Sequence, residues 1–150
     1  MGYCFTAMAS ITTRNMTETI LITGIDGYVG WNTAMYFAQK YNVVGIDNYS
    51  KRSLVESTEN KPFTTNTTIS QRIEVYNQLT KKFNITFEYG DVLDTNFIMK
   101  TLLKYNPTLV INFAQQSSSS FSSQNLQSSI YTHNNNTTPS IILTWSIKQY

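Results

Sequence analysis

Gly24, Gly27 and Gly30 stand at three-residue intervals between a β-branched run, Thr19-Ile20-Leu21-Ile22-Thr23, and an apolar stripe of helical period, Val29, Ala34, Met35 and Ala38. No other feature constrains the fold as much. A glycine-spaced turn from a buried strand into a helix opens a βαβ unit. Gly24 permits the tight turn, Gly27 lets the backbone approach a pyrophosphate, and Gly30 lets the helix pack closely on the strand. The first amides of the helix, at Tyr28 and Val29, then face the phosphates together with the positive end of the helix dipole. Asp47 closes the next strand, Val43-Val44-Gly45-Ile46-Asp47, where a carboxylate bonds both hydroxyls of an adenine ribose and repels a 2′-phosphate. The glycines alone also suit a βαβ unit in which they only pack. With Asp47 they point to NAD rather than NADP, a preference that Lys51 and Arg52 lie near enough to soften. Asn48 and Arg52 join the candidate cofactor residues on this ground.

Strand and helix patterns alternate from Thr19 onward. Helices are expected over Tyr28–Tyr41, Thr68–Phe83 and Thr95–Tyr105, with Pro107 stopping the third. Strands are expected over Asn84–Tyr89 and Thr108–Phe113. The stretch Lys51–Thr65 has no clean period and reads as an irregular excursion. Ala114–Ser123 reads as a polar loop, leading into a last helix that ends at Tyr150. Strands separated by helices imply right-handed βαβ units. The expected fold class is therefore α/β, a Rossmann-type doubly wound parallel sheet, stopping after the fourth strand and its helix. Gly90-Asp91-Val92 follows the third strand. There Asp91 either bonds an adenine amino group, with Val92 over the ring, or merely turns the chain before Asp94 caps the next helix.

Composition removes several function classes. Only 13% of the 150 residues are charged, against roughly 25% in ordinary proteins, and the net charge is +2. Lys and Arg form no basic stripe, so nucleic acid is not an expected partner. One cysteine, Cys4, allows no internal disulfide, and no cysteine-based metal site is expected. No apolar run reaches the length of a transmembrane helix. Residues 1–18 are expected to be a disordered leader: Thr6, Ser10, Thr12 and Thr13 interrupt any signal-like core, and a basic start is absent. The domain then occupies residues 19–150, and the expected location is cytoplasmic.

The segment Ile22-Thr23-Gly24-Ile25-Asp26-Gly27-Tyr28-Val29-Gly30-Trp31, with Ile46-Asp47-Asn48, resembles the extended short-chain dehydrogenase/reductases, the NAD-dependent epimerase/dehydratase family. Asp26 to Trp31, the insertion after Asp47 with Ile69-Ser70-Gln71-Arg72-Ile73, and Tyr131-Thr132-His133-Asn134-Asn135-Asn136 are similar to the UDP-sulfoquinovose synthase branch. The resemblance implies that Gly24, Gly27, Gly30 and the backbone of Tyr28 and Val29 hold the pyrophosphate of NAD. It gives Asp47 the ribose, and Asp91 and Val92 the adenine. Phe113, Ala114 and Gln116 then line the path to the nicotinamide ribose, and Asn135 contacts the cofactor from the last helix. It also implies a UDP-sugar substrate, oxidised at C4 by bound NAD before sulfite adds, and a homodimer. Two departures stand out: Ser117 where the branch has arginine, and Pro139, expected to kink the helix, where it has glycine.

The chemistry of that family needs a Tyr-x-x-x-Lys pair on a later helix. Tyr36 and Lys40 have the spacing but belong to the first helix, and Tyr150 has nothing after it. His133 lacks a triad or metal partner in view and reads as a surface residue. No catalytic residue is assigned. Two function classes follow: the cofactor-binding part of a sugar-nucleotide enzyme that is inactive alone, or a non-catalytic, decayed nucleotide-binding module.

Overall fold

The computed structural model describes residues 18–56, 67–82 and 84–150. The expected leader, apart from Glu18, lies outside the described residues, as do Phe83 and most of the excursion after Glu56.

Four strands, β1 (Thr19–Thr23), β2 (Asn42–Asp47), β3 (Ile85–Tyr89) and β4 (Leu109–Asn112), form one sheet in the order β3-β2-β1-β4, parallel at every pairing. Ile20 of β1 lies opposite Val43 on one side and Leu109 on the other. Between the strands run α1 (Tyr28–Phe37), α2 (Ser50–Glu56), α3 (Ile69–Thr80) and α4 (Thr95–Tyr105). After β4 come the one-turn α5 (Ser119–Ser122) and the long α6 (Leu126–Gln149).

Alternation along the strands sorts the core into two layers, because successive side chains point to opposite faces of a sheet. Ile20, Ile22 and Val43 pack with Ala34 and Ala38 of α1 and with Ile69 and Tyr76 of α3. Leu21, Val44 and Ile46 pack with Ile98 and Leu102 of α4 and Leu143 of α6. Helices therefore cover both faces, as a doubly wound sheet requires. Burying one such side chain is worth roughly 1.5–3 kcal/mol, so the central strand β1 anchors both layers.

Several boundaries differ from the sequence expectation. Helix α1 ends at Phe37 rather than Tyr41. The Asn84 amide reaches across to the carbonyls of Ala38 and Tyr41 at 2.7 and 2.5 Å, a long-range termination with no local signal. Helix α3 ends at Thr80, where Lys81 takes a left-handed conformation. The excursion after β2 begins not irregularly but as α2: Tyr49 turns with φ 59°, and the Asn48 side chain accepts the Ser50 N–H at 2.9 Å. Within the polar loop, Ser118 caps α5 by accepting the Phe121 N–H. Pro139, where a kink was expected, lies inside α6. The helix runs on through it, with the ring buried and the Asn135 carbonyl left without its usual helical donor.

Candidate functional site

The carboxyl ends of all four strands open into a cleft of about 920 Å³. It sits where the strand order reverses, since β2 and β3 extend the sheet on one side of β1 and β4 on the other. Open α/β sheets bind ligands in such crevices.

One wall is the glycine turn. Gly24 has φ 72°, and a Cβ there would lie 2.7 Å from the Phe113 carbonyl. A Cβ on Gly30 would lie 2.1 Å from the Gly24 carbonyl oxygen, so this glycine lets α1 sit against the turn. Gly27 is different. It has an ordinary φ of −70°, and a Cβ there would make one tight contact, 3.3 Å from the Gly24 carbonyl oxygen, so the fold constrains it less than the other two. Gly27 is the N-cap of α1, with no side-chain cap, and its own N–H goes to Gly24. The N–H groups of Tyr28, Val29 and Gly30 are the next unsatisfied donors of the helix start, and they find no acceptor among the described residues. All three residues line the cleft.

Asp47 closes the opposite side. Its Oδ2 accepts the Asp26 N–H and its Oδ1 the Tyr49 N–H, both at 2.9 Å. Burial pushes its pKa up, and those two backbone donors only partly offset the rise. Each oxygen keeps a lone pair for an incoming hydroxyl. Asn48 donates to Asp91 Oδ2 at 2.9 Å, while Asp91 Oδ1 accepts the Leu93 N–H at 2.8 Å. Asp91 thus shapes the turn whatever else it does, and Asp94 caps α4 as a separate matter. Val92 is buried beside it and also lines the cleft.

Thirteen of the fourteen candidate residues line this cleft; Gln116 does not. Gln116 is buried and holds the loop instead: its N–H donates to Asn136 Oδ1 at 2.8 Å, and Asn136 Nδ2 donates back to its carbonyl at 3.0 Å. Its side-chain oxygen accepts the Ser118 N–H. Neighbouring Gln115 and Ser117 reach the cleft in its place. Asn135 lines the cleft from α6 while Asn136 anchors the loop, a division that adjacent identical residues give no means of foreseeing.

Arg52 also lines the cleft, but its guanidinium is bound to the Asp26 carboxylate at 2.5 and 2.6 Å, which raises its pKa. Arg72 of α3 pairs with the same carboxylate and lies over the Trp31 ring at 5.1 Å. Sequence reasoning gave neither Asp26 nor Arg72 a role. Tyr36 is exposed on α1 and Lys40 lies past its end, and neither reaches the cleft.

A family model described as GDP-mannose 4,6 dehydratase matches residues 21–150. The chain belongs to that family. This member of the GDP-mannose 4,6 dehydratase family is 30% identical over 132 residues to the chloroplastic UDP-sulfoquinovose synthase of Spinacia oleracea, covering 87% of this chain and 27% of that one. It is 32% identical over 121 residues to the UDP-sulfoquinovose synthase of Sulfolobus acidocaldarius, covering 78% of this chain and 30% of that one. The chain therefore spans under a third of the length of the curated relatives it matches. Among solved structures, a UDP-glucose 4-epimerase from Stenotrophomonas maltophila, with bound NAD and formylated UDP-arabinopyranose, superposes with a TM-score of 0.67 at 19% identity. That likeness covers 89% of this chain and 34% of the other, and it shows the shared fold. The family assignment agrees with the resemblance drawn from the glycine turn and Asp47. No helix among the described residues is long and apolar enough to cross a membrane.

Proposed function

We propose that the cleft holds NAD and that the chain serves as the cofactor-binding part of a sugar-nucleotide-modifying enzyme of the UDP-sulfoquinovose synthase kind. The carrying observation is the pairing of three unspent amides, at Tyr28, Val29 and Gly30, with a buried carboxylate that keeps acceptor capacity at Asp47. The first suits a pyrophosphate and the second a diol, and Gly27, which lines the cleft with no side chain, lets the backbone meet the phosphates. The donor set fits the cofactor. When bound, NAD supplies hydride acceptance from a sugar carbon.

What the chain itself contributes is binding and orientation. Asp47 would take the ribose hydroxyls, while Asp91 and Val92 would frame the adenine. Phe113 and Ala114 would carry the path toward the nicotinamide, with Asn135 facing them from α6. The UDP-sugar and sulfite assignment is supported by the two relatives named above. Ser117, a neutral residue at the cleft, favours a second reading in which NAD binding persists without sulfite chemistry.

Supplying the purified chain with NAD, UDP-glucose and sulfite tests the division of labour. The expected result is neither NADH nor a new UDP-sugar, because no Tyr-x-x-x-Lys pair lines the cleft among the described residues. Turnover by this chain alone would contradict it.

A further inference from the structure

Two guanidiniums stand at the corner of the cleft beside Asp47, and one carboxylate holds both. Arg52 gives Nε and Nη2 to Asp26 at 2.5 and 2.6 Å, and Nη2 also to the Thr67 carbonyl at 2.8 Å. Arg72 gives Nη2 to the same carboxylate and, at 3.0 Å, to the Asp26 carbonyl. The Arg72 Nε is buried with no acceptor among the described residues. Asp26 in turn donates its N–H to Asp47 Oδ2. Its side chain is only 10% exposed, so the two ion pairs form largely out of water. Asp26 therefore sits between the ribose acid and both cations, and all three charged neighbours line the same cleft.

A phosphate monoester is what such a pair of planar donors binds best, through short charge-assisted hydrogen bonds. Here two carboxylates balance two guanidiniums, and the donors are aimed at Asp26 rather than at the cleft. We infer that Asp26 sets the preference for a ribose 2′-hydroxyl over a 2′-phosphate, by holding the Arg52 and Arg72 guanidiniums on itself. This rests on NAD occupying the cleft and adds to Asp47 a second, indirect determinant. Asp26 is a positioning residue in this account. Once its charge is removed, the corner gains a positive surplus, and the guanidinium N–H groups lose the carboxylate that holds them.

The test is calorimetric titration of NAD and of NADP into the whole chain and into Asp26→Asn, with Asp47 intact. NADP affinity should rise about tenfold or more in the variant, the scale of one hydrogen bond to a charged group, while NAD affinity changes far less. Adding Arg52→Gln and Arg72→Gln to that variant should abolish the gain, which a merely structural role for Asp26 would not produce. Asp26→Glu, keeping the charge, should keep the preference for NAD. Asp26→Ser is read in the same way if the amide variant does not fold. Unchanged NADP affinity in a folded variant, or an equal loss of both cofactors, overturns the inference while leaving the cofactor reading intact. Failure of the unmutated chain to bind NAD overturns both.

Discussion

The three glycines of the turn differ in what they are asked to do, and substitution should separate them. At Gly24 a side chain meets both a left-handed φ of 72° and the Phe113 backbone at 2.7 Å. Gly24→Ala should therefore cost about 2–4 kcal/mol in denaturant unfolding, combining backbone strain with overpacking. Gly27→Ala should cost less, about 1 kcal/mol, because φ −70° suits alanine and the methyl group meets one tight neighbour, the Gly24 oxygen at 3.3 Å, yet it should abolish NAD binding by filling the approach to the phosphates. A variant that unfolds at Gly27, or binds NAD normally, would contradict this split. Asp47 carries a pH signature. Its folded pKa lies above the ordinary 3.8, so the fold binds the proton more tightly than the unfolded chain does. Stability contributed at this site falls as pH rises from 3.8 to the folded value, and the cost is fully present above it. Ribose binding needs the ionised form, so NAD affinity should weaken on acidification at a higher pH than an unshifted carboxylate would give. Titrating NAD across that range checks this, and Asp47→Asn should flatten the dependence. The glycines and Asp47 were legible because each belongs to one local motif with one reason. Asp26 and Arg72 were not: their pairing joins residues 46 apart, and nothing near either residue announces it.

At the scale of elements, helix starts were easier to read than helix ends. Thr68 with Gln71 forms a capping box for α3, and Asp94 caps α4 by accepting two N–H groups, both local devices. The end of α1 depends instead on Asn84, which comes from beyond α3 and so leaves no trace in the helical pattern. Helix α2 escaped detection because its stability comes from the Asn48 cap and the Arg52 pairing rather than from an apolar stripe. The Gln116–Asn136 pair fastens the loop after β4 to α6, and with it one wall of the cleft. Asn136→Ala leaves the buried Gln116 N–H without an acceptor and should cost about 1–3 kcal/mol. Amide exchange around Gln116 should rise more than exchange in β1. Equal exchange at both places would show that the loop is held by other contacts.

For the whole molecule, the succession of strands separated by helices predicted a doubly wound sheet, and the two core layers, one on each face, bear it out. Leu21 joins β1 to the α4 and α6 layer and is fully buried, so Leu21→Ala should cost about 2–5 kcal/mol, a large share of a typical 5–15 kcal/mol stability. A loss below 1 kcal/mol in chemical denaturation would mean that this layer contributes little. The same topology brings four strand ends, far apart in sequence, to one cleft, and this is why a short glycine motif and one aspartate sufficed to locate it. What the pattern could not convey is which loop side chains turn inward, as Gln116 and Ser117 show. Every role proposed for the molecule requires that this cleft hold NAD through the α1 amides and Asp47. Calorimetric titration of NAD into the chain and into Asp47→Ala tests it most directly. Saturable binding that is lost or strongly weakened in the variant is the expected result; no saturation up to millimolar NAD, or identical isotherms for the two proteins, would contradict it.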